Sequence, residues 1–488
     1  MRETGSTKGV PAAIARDGWW LDPAAQMDAG EDEVRRQATI CLRQRLPGLM
    51  ALVILADVLF WRQLPGLSVA LFAAALLAVA AIGQSRRALV WPALLLALGV
   101  LPVIEHVQPL SMAILAAALI FALMALRGPA RASDIVAVAF GFVASLPRRW
   151  IAPFNLRRSG QVIAGLRPVN GLRDWAFPVG GSLVILALLI DANPMLLRLV
   201  SINLDLWAAL ERVIFWAGTA ILIAPFVARE LPTPFPHRMP QFPGLGLNPR
   251  SVLRALVLFN GLVAVQMVSD VAILIGGAAL PVAMSYAEYA HRGAYPLLAT
   301  AMLAGSFAMA ARPFWAERRL IRPLLMFWLA QNLALCGAAA LRLDLYIGAY
   351  GLTYLRLYAL IWMALVGAGL ALLAWQMLRA HGNGWLALRA GGLGIAAPYL
   401  CSFVNFADVV AAQNLGRTDP DDHYICNLGP LAAGAVAGAQ VTRPVATALP
   451  GYACAALRPP RIDGWRDWGF RSWRVIRKVG AVTMAEPM

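Results

Sequence analysis

The stretch LYALIWMALVGAGLALLAWQML, residues 357–378, decides the fold class. It contains no charged side chain and exceeds the roughly 20 apolar residues that an α-helix needs to cross a bilayer. Similar stretches recur along the chain, of which 60% is hydrophobic and 14% charged, against roughly 25% charged in a soluble domain. The sequence therefore predicts an all-α, polytopic transmembrane helical bundle.

The apolar segments number about 11, within a range of about 9 to 13 spans. They lie at 48–62, 67–83, 89–104, 109–126, 176–191, 209–228, 253–279, 293–311, 321–341, 354–378 and 385–404. A further apolar segment, 135–146, is too short to span and is followed by PRRW. Arginine and tryptophan anchors favour an interfacial helix there.

Composition divides the chain into three parts. A polar N-terminal tail, 1–46, precedes the transmembrane domain, 47–404, and a C-terminal tail with short helical patterns, 405–488, follows it. Within the domain, 127–175 is a basic interfacial connector, and the proline-rich loop 230–250 predicts an extended, polyproline-like conformation. Such a loop could bind a cytoplasmic protein partner.

The net charge of +16 indicates basic residues that contact the headgroups of a lipid bilayer, which is the expected partner. It does not indicate binding to nucleic acid. Of the 42 basic residues only Lys8 and Lys478 are lysine, and most arginines lie between apolar segments or in the tails. With a cytoplasmic N-terminus, the opposite loops contain only Arg62, Arg198, Arg292 and Arg342. This asymmetry predicts a cytoplasmic N-terminus in the inner membrane.

The side of the C-terminal tail stays open between two alternatives. An odd number of spans places the tail outside, although it is rich in basic residues. A re-entrant hairpin at 385–404 would return it to the cytoplasm, and the RAGGLG sequence within that segment permits this.

No catalytic signature, cofactor site or metal site is expected. The chain has no phosphate-loop lysine, nucleophile elbow or dinucleotide fingerprint. Glu288 and His291 form a Glu-x-x-His motif, but two ligands do not make a metal site. The cysteines form no pair or cluster that indicates zinc or a disulfide framework. They are Cys41, Cys336, Cys401, Cys426 and Cys454.

Asp270 is the ionisable residue deepest within an apolar segment, and Gln266 precedes it by one helical turn on the same face. A charge in hydrocarbon costs at least about 2.5 kcal/mol, so it marks a functional hypothesis. We consider an intramembrane ion or proton site there. The alternative is a residue that pairs with a neighbour or extends to the interface.

A second candidate is a polar, tyrosine-rich cluster on the predicted outer face. Two segments contribute to it, SYAEYAHRGAYPLLAT at 285–300 and ALRLDLYIGAYGLTYLRLYALIW at 340–362. The candidate residues are Glu288, His291, Arg292, Arg342, Asp344, Tyr346 and Arg356. Either the cluster is the mouth of a pocket, or the segments only form an aromatic belt at the membrane surface.

Four motifs carry a family resemblance: LLIDANPML at 188–196, the two tyrosine-rich segments, and NFADVVAAQNL at 405–415 followed by DDHYICNLGPLA. In this order they resemble a bacterial integral membrane family, domain of unknown function 4173, which is related to the 4153 group. The resemblance covers roughly residues 170 to 435. It implies a membrane location and supplies no catalytic residues.

The positions that recur in the family correspond here to both tyrosine-rich segments and to the start of the tail. They are Glu288, His291, Arg292, Gly293, Arg342, Tyr346, Gly351, Thr353, Arg356, Asn405, Asp408 and Asn414. We therefore expect a non-enzymatic, transporter-like or envelope-associated membrane protein. The alternatives are a membrane-embedded enzyme acting on a lipid-linked or extracytoplasmic substrate, with Glu288 or His291 as general base, and a sensor or scaffold.

Overall fold

The computed structural model describes most of the chain. The described residues are 46–127, 132–151, a few helical positions between 178 and 189, 206–227, 248–274, 286–314, 317, 319–442 and 457–485. Every regular element in these ranges is a helix. The prediction of an all-α membrane protein is therefore confirmed.

Fifteen α-helices are named here in chain order. They are α1 (Leu46–Phe60), α2 (Leu67–Ala80), α3 (Val90–Glu105), α4 (Pro109–Arg127), α5 (Ala132–Ile151), α6 (Leu206–Val227), α7 (Pro249–Leu274), α8 (Tyr286–Ala311), α9 (Ile321–Tyr350), α10 (Tyr354–Leu378), α11 (Asn383–Cys401), α12 (Phe406–Leu415), α13 (Asp422–Cys426), α14 (Ala433–Thr442) and α15 (Phe470–Ala485). Short 3-10 turns at Arg86–Leu89, Arg312–Phe314 and Pro430–Ala432 complete the described elements.

Six helices of the described residues are long and apolar enough to cross a membrane, or seven if the bent pair α11–α12 is one span. They are α3, α4, α6, α7, α9 and α10. The predicted count of about 11 is not confirmed. Two of the predicted segments form the shorter helices α1 and α2, and the segment 176–191 lies mostly outside the described residues.

The chain divides into two compact units, each of which takes part of α2, α3 and α4. The first unit contains α1, α5 and α6. Ring contacts join α1 to the neighbouring helices, with Phe60 on Phe72 at 5.4 Å and Trp61 on Phe215 at 5.4 Å. In α5, the predicted interfacial helix, Val138, Phe142 and Leu146 are buried on one face, as expected of an amphipathic helix.

The second unit is built on α7 to α10. The side chain of Asn260 in α7 donates to the carbonyl of Leu324, near the start of α9, and Asp270 pairs with Arg342, near the end of α9. The helices α7 and α9 are therefore parallel. Apolar side chains fill the core between α7, α8, α9 and α10, with Leu256, Leu325 and Met377 fully buried.

Helix α11 runs antiparallel to α10 over its length. It begins beside the end of α10, where the Gln376 side chain donates to the carbonyl of Gly382 at 3.0 Å. The following helix α12, bent by 67° from α11, packs against the start of α10, with Phe406 on Tyr358 at 5.7 Å. The chain therefore crosses from one end of α10 to the other, and does not return as the alternative hairpin at 385–404 would require.

Residues 406–442 and 457–485 form a folded segment that we call the cap. Ala411, Ile425 and Ala432 are fully buried in its own small core. The cap also contacts the start of α2, where the amides of Leu67 and Ser68 donate to the carbonyls of Trp468 and Arg466 at 2.9 and 3.1 Å. These bonds satisfy first-turn amide groups that a helix leaves without a partner. The structure thus ties the C-terminal residues to an early helix.

Candidate functional site

A buried ion pair joins α7 to α9. The guanidinium of Arg342 contacts Oδ1 of Asp270, and the Gln266 side-chain amide donates to the same oxygen at 2.8 Å. Asp270 is 2% and Arg342 6% exposed. The pair lies about 12 Å from the end of α9, at 1.5 Å per residue. It brings together two residues that the sequence assigned to separate candidate sites.

A second layer of polar side chains, or polar level, lies between the same two helices, further from the α9–α10 turn than the ion pair. Asn260 donates to the carbonyls of Leu256 and Leu324 at 2.7 and 3.2 Å, and Gln331 donates to the carbonyl of Asn260 at 3.3 Å. Buried Val263 and Leu335 belong to the apolar core of these helices. The interface of α7 and α9 therefore carries two polar levels, of which only the one nearer the helix ends is charged.

The remaining candidates from 340–362 do not join the ion pair. Asp344 is exposed, since it lies two residues from Arg342 and so on another face of the helix. Tyr346 and Arg356 contact each other at the turn between α9 and α10, with the guanidinium 4.1 Å from the ring centre. Arg356 also donates to the carbonyls of Tyr350 and Gly351. The contacts of Tyr346 and Arg356 therefore stabilise the turn between α9 and α10.

Glu288, His291 and Arg292 lie in the first turns of α8. Their side chains lie outside the described residues, so the structure does not show whether they reach Arg342. The backbone alone places them at a definite end of the bundle. Because α8 ends at Ala311 before α9 begins at Ile321, and the two helices pack together along their length, α8 begins near the α9–α10 turn.

The turn between α9 and α10 is held by one side chain of the cap. The Asn414 side chain accepts from the amide of Leu352 and donates to its carbonyl, both at 2.7 Å. Gly351 has φ 81°, a conformation that favours glycine. A Cβ there would lie 2.8 Å from Oδ1 of Asn414. Gly351 and Asn414, to which the family resemblance pointed, thus pack against each other at this turn.

Further cap residues complete this turn. Arg417 donates to the carbonyls of Ile347, Gly348 and Ala349 at 2.7–2.9 Å, which satisfies acceptors at the end of α9. The hydroxyl of Tyr424 accepts from the amide of Tyr354 at 3.1 Å. A cavity of about 370 Å³ lies beside Arg417, between the ends of α9 and α12.

In α13, Cys426 is disulfide-bonded, which the cysteine spacing did not indicate.

Replacing Asn414 by alanine is expected to loosen this turn. The change removes both bonds to buried Leu352, and each unsatisfied backbone group costs about 1–3 kcal/mol. Hydrogen exchange of the Leu352 amide should accelerate at least tenfold. Gln413→Ala is the matched control, since Gln413 is the exposed neighbour. Equal exchange in the two variants would show that Asn414 does not hold the turn.

A second buried ionic cluster fixes the cap to the turn between α3 and α4. Glu105 contacts Arg471 at 3.3 Å and also contacts Arg474. Arg471 donates in addition to the carbonyl of Ser402 at 2.5 Å, at the bend between α11 and α12. Glu105 and Arg471 are 6% and 3% exposed. Burial lowers the pKa of Arg471, although its hydrogen bond to Glu105 opposes this shift.

His106 follows Glu105 and is neutral in the folded protein at physiological pH. Burial, followed by the charge of Arg471, lowers its pKa from 6.5 to about 4. The unfolded chain therefore binds a proton at a higher pH than the folded chain does. The free energy of unfolding therefore does not depend on His106 protonation above pH 6.5, and it decreases as the pH falls from there to about 4.

We therefore expect the cap to loosen on acidification between these two values. Hydrogen exchange of α15, corrected for the intrinsic pH dependence of exchange, measures this effect. In His106→Gln the pH dependence in this window should flatten. An unchanged pH dependence in the variant would assign the effect to another group.

In the first unit, Asp57 is fully occupied by structural contacts. Arg212 donates to its two oxygens at 2.9 and 2.5 Å, and Trp216 donates at 2.9 Å. Arg62 pairs with Glu211 at 3.5 Å. This network joins α6 to α1 and to the turn that follows α1.

No group of three or more His, Cys, Asp or Glu side chains able to hold a metal ion occurs among the residues described. Asp270 and Glu105 have arginine partners. The described ionic contacts at these two residues are therefore charge pairs between carboxylate and guanidinium groups.

The sequence did not identify Glu105, Arg471 and Arg417 as structural residues. The first lies in the short connector EHVQP, and the second in a basic tail segment that had no evident partner. Their pairing spans most of the chain, so no local spacing could reveal it. By contrast, the family resemblance pointed to Gly351, Thr353, Asn405 and Asn414, and in the structure each makes a cap or a turn contact.

Comparison with known proteins gives one match. The model of the family "Domain of unknown function (DUF4153)" matches residues 49–439. No curated protein and no solved structure matches the chain. The narrower resemblance to family 4173 stays a prediction. Because the family model matches most of the chain, including both polar levels and the α9–α10 turn, the chain belongs to the DUF4153 family of domains of unknown function.

Proposed function

We propose that the protein is a transporter-like, multi-pass component of the bacterial cytoplasmic membrane. The Asp270–Arg342 pair would be its site for protons or small ions. The observation that carries this proposal is the burial of both charges between two helices long enough to span a membrane. A charge pair at such a position costs desolvation energy that apolar packing would avoid, and it therefore points to a functional role.

The Asp270–Arg342 pair can act as a site that binds and releases a proton together with a small anion. When Asp270 takes up a proton, it loses its negative charge and its attraction for the Arg342 guanidinium weakens. Arg342 can then bind a small anion through charge-assisted hydrogen bonds. Loss of the proton restores the ion pair and releases the anion. In this mechanism Gln266, which donates to Oδ1 of Asp270 at 2.8 Å, orients the carboxyl group.

We propose further that the cap faces away from the cytoplasm. Arg254, Arg312, Arg322 and Arg379 lie at the opposite end of the second unit from the α9–α10 turn, as the positive-inside rule expects of the cytoplasmic end. The disulfide at Cys426 supports an oxidising compartment on the side of the cap. The basic residues of the cap oppose this orientation, but long translocated segments follow the rule weakly.

Reconstituted proteoliposomes test the transport proposal. Under an imposed pH gradient, a panel of carboxylates, phosphate and amino acids should include a solute whose uptake the gradient drives. We expect Asp270→Asn to reduce that uptake at least tenfold. Asp419→Asn, the same change at an exposed position, should leave it unchanged. The proposal fails if the gradient drives the uptake of no solute by the wild-type protein, or if Asp270→Asn takes up the solute as the wild type does.

The enzyme alternative makes a different prediction. A general base at Glu288 or His291 would make turnover of a lipid-linked substrate depend on those residues. Glu288→Gln and His291→Ala would then abolish turnover and leave proton-coupled uptake unaffected. A partner that binds the loop 230–250 would be lost on deletion of that loop, with membrane insertion intact.

A further inference from the structure

Helix α15 has two chemically distinct faces. Its inward face packs on the rest of the cap and on the span ends. Arg471 and Val475 are buried on that face, and Lys478 pairs with Asp408 at 3.4 Å. The spacing of these residues, four and three apart, is that of one helix face. The inward face is therefore occupied by protein contacts.

The outward face is aromatic and cationic. Phe470 and Trp473 are 39% and 37% exposed and stack on each other at 5.6 Å. The Arg474 guanidinium lies 4.9 Å from the Phe470 ring, and that of Arg477 lies 5.3 Å from the Trp473 ring. The sequence of α15 contains no acidic residue. This face therefore presents apolar rings together with positive charge.

Contacts with the span ends fix the depth of α15. Gly469, just before the helix, lies next to the carbonyls of Ile104 and Glu105 at the end of α3. Arg471 donates to the carbonyl of Ser402, just after α11. Since α3 is long and apolar enough to span the membrane, α15 begins at the level where the hydrocarbon core gives way to lipid headgroups. Tryptophan and arginine are favoured at that level.

We propose that the outward face of α15 binds the anionic headgroups of the adjoining lipid leaflet. The rings insert between the headgroups and the Arg477 guanidinium pairs with a lipid phosphate, as in an interfacial amphipathic helix, whereas Arg474 stays in contact with Glu105. An acidic protein or a second copy of the chain could also match a cationic face. The position at the span ends favours lipid, because a bilayer is present at that level in every copy.

Hydrogen exchange of the full-length protein in nanodiscs tests this proposal. In phosphatidylcholine discs with increasing phosphatidylglycerol, the α15 amides should become protected in the wild type. Arg477→Gln should raise the phosphatidylglycerol fraction needed for half-maximal protection about fivefold. Trp473→Ala combined with Arg477→Gln removes the exposed ring and the charge beside it, and should abolish the lipid-dependent protection. Lys478→Gln removes the same charge at the next position, which faces Asp408, and should behave as the wild type.

Three results would overturn the proposal. The first is protection that is equal with and without phosphatidylglycerol. The second is a lipid response of Arg477→Gln that matches the wild type. The third is protection that depends on protein concentration and on dimer mass instead of on lipid, which would assign the face to a protein interface.

Discussion

Replacing Arg342 by methionine is expected to destabilise the second unit by about 3–5 kcal/mol. The change leaves the Asp270 carboxylate in the bundle, 2% exposed, without its charged partner. Water cannot replace the guanidinium at a buried position, so the remaining charge opposes folding. Unfolding in mixed detergent micelles with increasing dodecyl sulfate measures the free energy of the variant against the wild type.

Two controls separate the loss of the pair from the loss of one arginine. Arg379→Met removes an exposed arginine that rests on Trp375 at the end of α10, and should change stability by less than about 1 kcal/mol. Combining Arg342→Met with Asp270→Leu removes both charges and should recover most of the lost stability. A double variant as unstable as Arg342→Met would show that an unpaired carboxylate is not the cause.

Replacing Glu105 by glutamine is expected to release α15 from the span ends. Arg471, 3% exposed, would lose its carboxylate partner and keep only the carbonyl of Ser402. An unpaired buried charge costs about 3–5 kcal/mol, so hydrogen exchange in residues 470–482 should accelerate by more than a hundredfold. The rest of the second unit should keep its exchange pattern.

Arg474→Gln provides the matched comparison for this cluster. Arg474 contacts the same carboxylate, but its side chain is 48% exposed, and an exposed ion pair is worth about 0–1 kcal/mol. Its effect on α15 should therefore be small. If Arg474→Gln and Glu105→Gln accelerate exchange equally, the burial of Arg471 is not what fixes the cap.

The fold class followed from the sequence because a helix that spans a bilayer must be long and apolar throughout, and composition alone reveals this. The predicted number of about 11 spans is not confirmed by the described residues. Segments 48–62 and 67–83 are apolar enough to predict spans, but their helices end at Phe60 and Ala80 and are short. Apolar composition does not fix where a helix ends.

The candidate site residues could likewise be predicted only in part. Asp270 stood out because a charge within an apolar segment is rare. Its partner Arg342 was assigned to the outer face because the predicted span ended at residue 341, whereas α9 continues to Tyr350. Only the parallel packing of α7 and α9 brings the two together. The cap was beyond prediction for a related reason, as Glu105 and Arg471 are joined by contacts that no spacing in the sequence encodes.

The bonds from Leu67 and Ser68 to Trp468 and Arg466 have a consequence for biosynthesis. The amide groups at the start of α2 are made before the helices α3 to α10, whereas their partners are made after those helices. The backbone of Asp467 also packs so closely on Gly66 that a Cβ there would lie 2.3 Å from the Asp467 carbonyl carbon. The second unit can therefore reach its final form only after the cap has been translated and has reached the membrane face on which it docks.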